Sequence, residues 1–338
     1  MLKLIFVGTG NIGKCWLEQF APHLPLSVSV HALTNSKGMQ SVREGVSLLD
    51  QIPQEDSGKG LEEVTESISK VLATGDSVAV VDVTASEAVS GYYPNWVAMG
   101  ADIISANKYA GSSTQSSYDV LLESLRKYDR RWLYNTTVGA GLPVQKAIRE
   151  RRACHDQILH LEGNLSGSLS WIFQQFKRGD RFSEWLKKAS DAGMTEPDPR
   201  IDLSGIDVAR KLLILAREAG WKLELADIKV QNLVPPALRE VSLDEFWQEV
   251  NLLDDLVGDA PRYHYLGRVV IRKNGDIEGS AGLQEIKSSS SYANLPPGNA
   301  SFTIKSQQYL DNPLVIQGPG AGRVVTAAGV HSDILELV

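Results

Sequence analysis

Apolar positions in the first part of the chain alternate between two patterns. Leu2–Val7 is a short apolar run ended by Gly8, which predicts a strand buried on both faces. Asn11–Ala21 carries apolar residues at helical spacing and stops at Pro22 and Pro25. Leu26–Leu33 alternates apolar and polar residues and predicts a second strand. Beyond it, Leu61–Ala73, Glu87–Met99 and Ser117–Arg131 predict helices, and Ser77–Val83, Asp102–Ser105 and Trp132–Tyr134 predict strands. The polar segment Ser36–Lys59 predicts loop with some helix. Strands alternating with helices indicate an α/β fold with a doubly wound parallel sheet.

After about Thr136 the pattern changes. Val144–Arg152, Ser168–Lys177, Phe182–Ala192 and Asp207–Ala219 predict helices, and Ile158–Gly163 predicts a strand. Arg262–Arg272 and Asp276–Gly282 flank Asn274-Gly275, a pair suited to the positive-φ turn of a hairpin. Ser288–Ser291 and Leu295–Gly298 predict loop. Leu314–Gln317 predicts one more strand, followed by a glycine-rich turn and a final helix to Val338.

Composition narrows the class. At 338 residues the chain is too long for one ordinary core and predicts two lobes. With 43% hydrophobic and 22% charged residues it is a folded globular protein, and a net charge of −7 argues against nucleic acid as the main partner. Cys15 and Cys154 lie far apart without a CxxC, which speaks against a disulfide framework and for a reducing compartment. No stretch is apolar for the roughly 18 residues that a membrane helix needs. Leu2–Val7 is too short for a signal core, and the N-terminus lacks transit-peptide character. A cytoplasmic location is the expectation, with no membrane partner.

Gly8-Thr9-Gly10-Asn11-Ile12-Gly13 is a GxGxxG in context: it follows a predicted strand and opens a predicted helix. The first glycine permits a tight turn, the second lets backbone approach a pyrophosphate, and the third allows close helix–strand packing. The helix N-terminus offers N–H groups to the phosphate. In Rossmann-like sheets an acid about 20 residues on binds the ribose of NAD. Here the second strand runs into Thr34-Asn35-Ser36-Lys37, with no acid. Lys37 is either a solvated surface lysine or a partner for a 2′-phosphate, so the balance tilts to NADP over NAD.

The densest chemistry lies between Met194 and Lys211. Prolines hold its first half extended, and its second half enters a helix near Asp207. Asp207 and Lys211 share a helical face, and Glu196 lies just outside the helix. Two carboxylates and an ammonium would hold an amino-acid zwitterion, the lysine moving a proton at a carbonyl or hydroxyl. The plainer reading of Asp207 and Lys211 is an ion pair on a wet helix face. Lys108 and Thr84 follow predicted strand ends, where a doubly wound sheet faces its ligand. The six histidines do not cluster, and neither HExxH nor GxSxG occurs.

GTGNIG at 8–13, VDVTAS at 81–86, ANK at 106–108, TVGAGLPV at 137–144, GNLSGSLSWIF at 163–173, TEPDPRIDLSGIDVARK at 195–211 and PLVIQGPGAGRVVTAAGV at 313–330 occur in this order over nearly the whole chain. Together they resemble the homoserine dehydrogenase family, most specifically in the 195–211 stretch. The resemblance implies reversible NAD(P)-dependent oxidation of L-homoserine to L-aspartate 4-semialdehyde, in threonine and methionine biosynthesis. It implies a Rossmann-like doubly wound domain at 1–140 plus 316–338, with an inserted α+β substrate and dimerisation domain at 141–315, and a homodimer. By motif match Lys211 is the proton donor and acceptor, Lys108 assists it near the nicotinamide, and Glu196 and Asp207 bind the substrate. Gly8, Thr9, Gly10, Asn11, Ile12, Gly13, Thr84, Lys108 and Gly322 would contact the cofactor. The backbone oxygens of Val138, Ala140 and Leu142 would hold a monovalent cation, Na+ or K+.

The chain departs from the family pattern at three places. Asn135 stands where a glutamate cation ligand is usual, Met194 where a tyrosine is common, and Tyr109 where a second lysine often follows. The motifs begin at the first strand and end at the last helix, which predicts a monofunctional enzyme without a kinase or threonine-sensing regulatory domain. Two rivals stay open: another amino-acid dehydrogenase of this architecture, and a non-catalytic dinucleotide sensor.

Overall fold

The computed structural model describes residues 1–54, 61–256, 262–272 and 274–338. Residues 55–59 of the Ser36–Lys59 reading lie outside the described residues. Contacts divide the chain into two units, Met1–Gly141 with Gly322–Val338, and Leu142–Ala321.

In the first unit the order is β1 (Leu2–Val7), α1 (Asn11–Gln19), β2 (Val28–Asn35), β3 (Gly38–Ser41), α2 (Glu62–Ala73), β4 (Ser77–Asp82), α3 (Glu87–Gly91), α4 (Tyr93–Met99), β5 (Asp102–Ser105), α5 (Tyr109–Ser112), α6 (Gln115–Tyr128) and β6 (Trp132–Leu133). The sheet order is β3-β2-β1-β4-β5-β6. All its pairings are parallel except β2 with β3. The order reverses between β1 and β4, the place where such sheets open a crevice at their carboxyl ends. Leu4 and Phe6 of β1 are fully buried, and Trp16 of α1 stacks on Phe6 at 4.8 Å between ring centres. Two predicted helices differ in outline. Pro22 opens a separate 3-10 turn at Ala21–His23, so α1 ends at Gln19. Pro94, lacking an N–H, sits in the first turn of α4 and splits the Glu87–Met99 segment.

The second unit contains α7 (Val144–Ala153), β7 (Ile158–Gly163), α8 (Gly167–Gln175), α9 (Phe182–Asp191), α10 (Arg200–Leu203), α11 (Ile206–Glu218), β8 (Ile228–Val230), α12 (Leu243–Gln248), β9 (Tyr263–Ile271), β10 (Ile277–Glu285), β11 (Asn299–Ser306) and β12 (Leu314–Pro319). Its described strands form a sheet in the order β12-β11-β7-β9-β10-β8, antiparallel except for β8 with β10. The β9–β10 hairpin turns at Gly275, φ +90°. Residues 316–321, expected with the nucleotide-binding domain, lie in this unit, where β12 pairs with β11.

The chain then returns to the first unit as α13 (Arg323–Leu335). Ala327, Val330 and Ile334 are fully buried in the same core as Leu4, Phe6 and Trp16. Burying a large aliphatic side chain contributes about 1.5–3 kcal/mol, so this last helix is a substantial part of that core. Among the described residues no helix is long and apolar enough to cross a membrane.

Candidate active site

In the first unit the three glycines of the β1–α1 loop are needed for different reasons. Gly8 has φ +104°, and a Cβ there would lie 2.9 Å from Thr84 Cγ2. A Cβ at Gly13 would lie 2.1 Å from the Gly8 carbonyl oxygen, so the helix packs onto the loop only without a side chain. At Gly10, among the described residues, a Cβ meets nothing within 4 Å. That open space is where a phosphate could approach the backbone. Gly10 is also the N-cap of α1, with no side-chain cap. The first-turn amides of Asn11, Ile12 and Gly13 are therefore the donors an anion would meet.

At the end of β2 the Asn35 side chain is engaged locally. Its Nδ2 donates to Thr9 Oγ1 and to the Pro53 carbonyl, both at 3.0 Å, and its Oδ1 accepts the Lys37 N–H at 2.8 Å. Lys37 itself is exposed. Thr84 and Lys108 are half-buried after β4 and β5 respectively. Gly322, φ +129°, is the N-cap of α13, again without a side-chain cap.

Sequence reasoning passed over the groups beneath Thr84 and Lys108. Asp82, Tyr93 and Asn107 are buried, and Tyr93 and Asn107 both donate to the Asp82 carboxylate. Burial pushes the Asp82 carboxyl up from its ordinary range, against the opposing effect of these donors. Burial and the adjacent carboxylate push the Tyr93 phenol well up.

The proposed cation ligands fall on both sides of the boundary at 141. Val138 and Ala140 are buried in the first unit, and Gly139 and Ala140 both have left-handed backbone, φ +80° and +54°. The Leu142 carbonyl accepts the Val144 N–H at 2.9 Å. Asn135 donates its backbone N–H to Asp333 Oδ2 at 3.2 Å. Among the described residues no group of His, Cys, Asp and Glu could hold a transition metal.

In the second unit Lys211 is not a wet helix-face lysine. Its side chain is 18% exposed, its Nζ lies 2.7 Å from Asp207 Oδ2, and it donates to the Leu165 carbonyl at 2.8 Å. Leu165 belongs to the 163–173 stretch, which is anchored by Asn164. That side chain donates to Ser170 Oγ at 2.9 Å and accepts the Ser301 N–H at 2.6 Å. Glu196 is exposed and is placed through its backbone, whose N–H donates to Asp202 Oδ2 at 2.8 Å. Asp202 Oδ1 accepts Ser168 Oγ–H at 2.6 Å. Asp202 thus joins the 163–173 and 195–211 stretches, a role sequence reasoning missed although the residue lies inside the quoted motif. Asp198 and Arg200 form a bidentate pair, and Arg200 Nη1 also donates to the Val241 carbonyl. These two brace the loop. Gly205, φ +73°, caps α11, and a Cβ there would lie 2.0 Å from the Tyr265 hydroxyl oxygen.

Comparison with known proteins agrees with this architecture. Residues 143–335 match the homoserine dehydrogenase family profile, and residues 8–135 match its NAD-binding domain. The chain belongs to the homoserine dehydrogenase family. A homoserine dehydrogenase region occurs in the bifunctional aspartokinase/homoserine dehydrogenase 2 of Escherichia coli K12, which is 38% identical over 99% of this chain. The chloroplastic bifunctional enzyme 2 of Arabidopsis thaliana is 35% identical over 99% of it. The chain spans only 43% and 38% of those two proteins. Among solved structures, a Candida auris protein of unknown function superposes with a TM-score of 0.89 at 29% identity, covering 99% of this chain and 97% of its own. A hyperthermophilic archaeal homoserine dehydrogenase in complex with NADPH gives 0.73 at 20% identity, covering 99% and 97%, a likeness of fold.

Proposed function

We propose that this chain interconverts L-homoserine and L-aspartate 4-semialdehyde with NAD(P), the first unit holding the nucleotide and the second the substrate. The observation that carries this reading is Lys211: an ammonium drawn out of solvent and held by Asp207 and the Leu165 carbonyl. A bound nicotinamide supplies hydride transfer. The protein must handle the proton and the amino acid. Lys211 gives a proton to the substrate oxygen in reduction and takes it in oxidation, stabilising the charge that develops there. Lys108 assists from the nucleotide-binding unit. Glu196 and Asp207 bind the substrate amine and hydroxyl, and Asp202 fixes the backbone that presents Glu196. Gly8, Thr9, Gly10, Asn11, Ile12, Gly13, Thr84 and Gly322 surround the nucleotide.

The proposal extends to a monovalent cation, Na+ or K+, on the carbonyl oxygens of Val138, Ala140 and Leu142. A neutral oxygen set suits a singly charged ion, and the left-handed backbone at Gly139 and Ala140, φ +80° and +54°, turns the chain sharply between the residues that carry these carbonyls. A homodimer and cytoplasmic residence belong to the same reading. The test is nicotinamide absorbance on mixing homoserine with NAD or NADP, in sodium, potassium or tetramethylammonium chloride, with aspartate as the rival substrate. Turnover with homoserine and not aspartate is expected, faster with the alkali cations. Silence in every combination would end the proposal.

NADP is the preferred coenzyme in this reading, because no carboxylate at the end of β2 repels a 2′-phosphate and Lys37 stands ready beside it. Hydrogen bonds to charged groups contribute about 1.5–3 kcal/mol. Lys37→Glu is therefore expected to cut kcat/KM for NADP by roughly 10- to 100-fold and to spare NAD. Equal losses with both coenzymes would assign Lys37 to the surface.

A further inference from the structure

We propose that Asp82 is a positioning residue of the nucleotide site, its buried carboxylate tying the loop that carries Thr84 to the segment that carries Lys108. The proposal rests on the dehydrogenase reading above. Asp82 closes β4, and Asn107-Lys108 follow β5, its parallel neighbour. Asp82 and Tyr93 have no exposure, and Asn107 has 1%. Asp82 Oδ1 accepts the Thr84 N–H at 2.8 Å. Oδ2 accepts the Tyr93 hydroxyl at 2.6 Å and Asn107 Nδ2 at 2.9 Å. Asn107 Nδ2 also donates to the Ser86 carbonyl at 2.8 Å, and its Oδ1 accepts the Tyr109 N–H at 3.0 Å. The carboxylate holds the Thr84 N–H directly, and through Asn107 it is tied to the Ser86 carbonyl, on the far side of Ala85, and to the Tyr109 N–H, just after Lys108.

Packing alone does not call for a charge here. The preceding β4 residues Val80 and Val81 fill the same sheet with no exposure, and burying a carboxylate is costly unless its lone pairs are satisfied. A carboxylate is needed because both of its oxygens accept, whereas an amide would turn a donor either toward the Thr84 N–H or toward the Asn107 amide. The arrangement also reaches the glycine loop. A Cβ at Gly8 would meet Thr84 Cγ2 at 2.9 Å, so a displaced Thr84 presses on the turn that receives the pyrophosphate.

The experiment compares Asp82→Asn with the full-length wild type by NADPH and NADH fluorescence titration, steady-state kinetics with homoserine, circular dichroism and thermal melting. Small misplacements of reacting groups cost up to about 100-fold, so Asp82→Asn is expected to weaken both nucleotides and lower kcat by on the order of tenfold with secondary structure unchanged. Combining Asp82→Asn with Asn107→Leu is expected to cost little more than the worse single variant, a coupling that independent sites do not show. A lowered Tm with nucleotide affinity and kcat intact would make Asp82 merely structural and overturn the proposal. Should Asp82→Asn fail to fold, Asn107→Leu cuts the same tie from its other end, and wild-type affinity and turnover in that variant overturn it equally. A wild-type protein that binds neither nucleotide refutes the dehydrogenase reading and this one with it. A wild type that binds while Asp82→Asn binds equally well refutes this one alone.

Discussion

Lys211→Ala is expected to lower kcat for homoserine by on the order of 1000-fold while leaving NAD(P) affinity nearly unchanged. The asymmetry follows from where the lysine sits. It lies in the second unit, bonded to Asp207 and the Leu165 carbonyl, whereas the β1–α1 loop lies in the first. Stability should fall by about 1–3 kcal/mol, because Lys211 is only 18% exposed and the buried Leu165 carbonyl loses its donor. Asp207 adds little to that loss, since it is 49% exposed and can turn to water once the ammonium is gone. The measurements are kcat and a nucleotide titration. Turnover within a few-fold of wild type would remove Lys211 from the mechanism.

Gly205→Ala is the second large effect, and it touches no proposed catalytic group. The alanine would carry a left-handed φ of +73° and place its Cβ 2.0 Å from the Tyr265 hydroxyl oxygen and 2.9 Å from Val230 Cγ1. Left-handed strain costs about 1–3 kcal/mol, and overpacking costs about 1–3 kcal/mol more. Tyr265 has little room to yield, since its hydroxyl donates to the Gln231 carbonyl at 2.7 Å and its side chain is buried. The N-terminus of α11 must then shift, and Asp207 shifts with it. A Tm lower by on the order of 10 °C is expected, with turnover lost below the melting point. A variant that melts and turns over like wild type would show that the helix start has slack that the packing does not suggest.

Much of the architecture was legible because one strong pattern repeated. Leu2–Val7, Asp102–Ser105 and Ile158–Gly163 were readable to the residue, the first as an apolar run ended by glycine and the others as short stretches built around Ile and Leu. What escaped lacked a periodic signal. Gly38-Met-Gln-Ser is a short polar edge strand, stabilised by pairing with β2 rather than by its own pattern. Asn299–Ser306 is largely buried between β7 and β12, yet Asn, Ser, Thr and Lys interrupt its apolar residues, and its sequence suggested no element. The proposed site divides in the same way. Lys211, Asp207 and Glu196 stand out as charges in a Pro- and Gly-rich stretch. Asp202 and Asp82 act through partners distant in sequence, Ser168 and Asn107, and no local spacing announces such a bond.

The return of α13 to the first unit sets an order of events during synthesis. Residues 1–141 leave the ribosome before Leu142–Ala321, and Gly322–Val338 emerges only after both. At translation rates of about 5–20 residues per second, the gap is roughly 10–40 s. Throughout it the nascent first unit lacks Ala327, Val330 and Ile334, and the apolar face that includes Trp16 has no cover. The nucleotide-binding unit can therefore mature only after its neighbour in sequence has been made. The gap makes the nascent chain a natural client for chaperones that shield apolar surface.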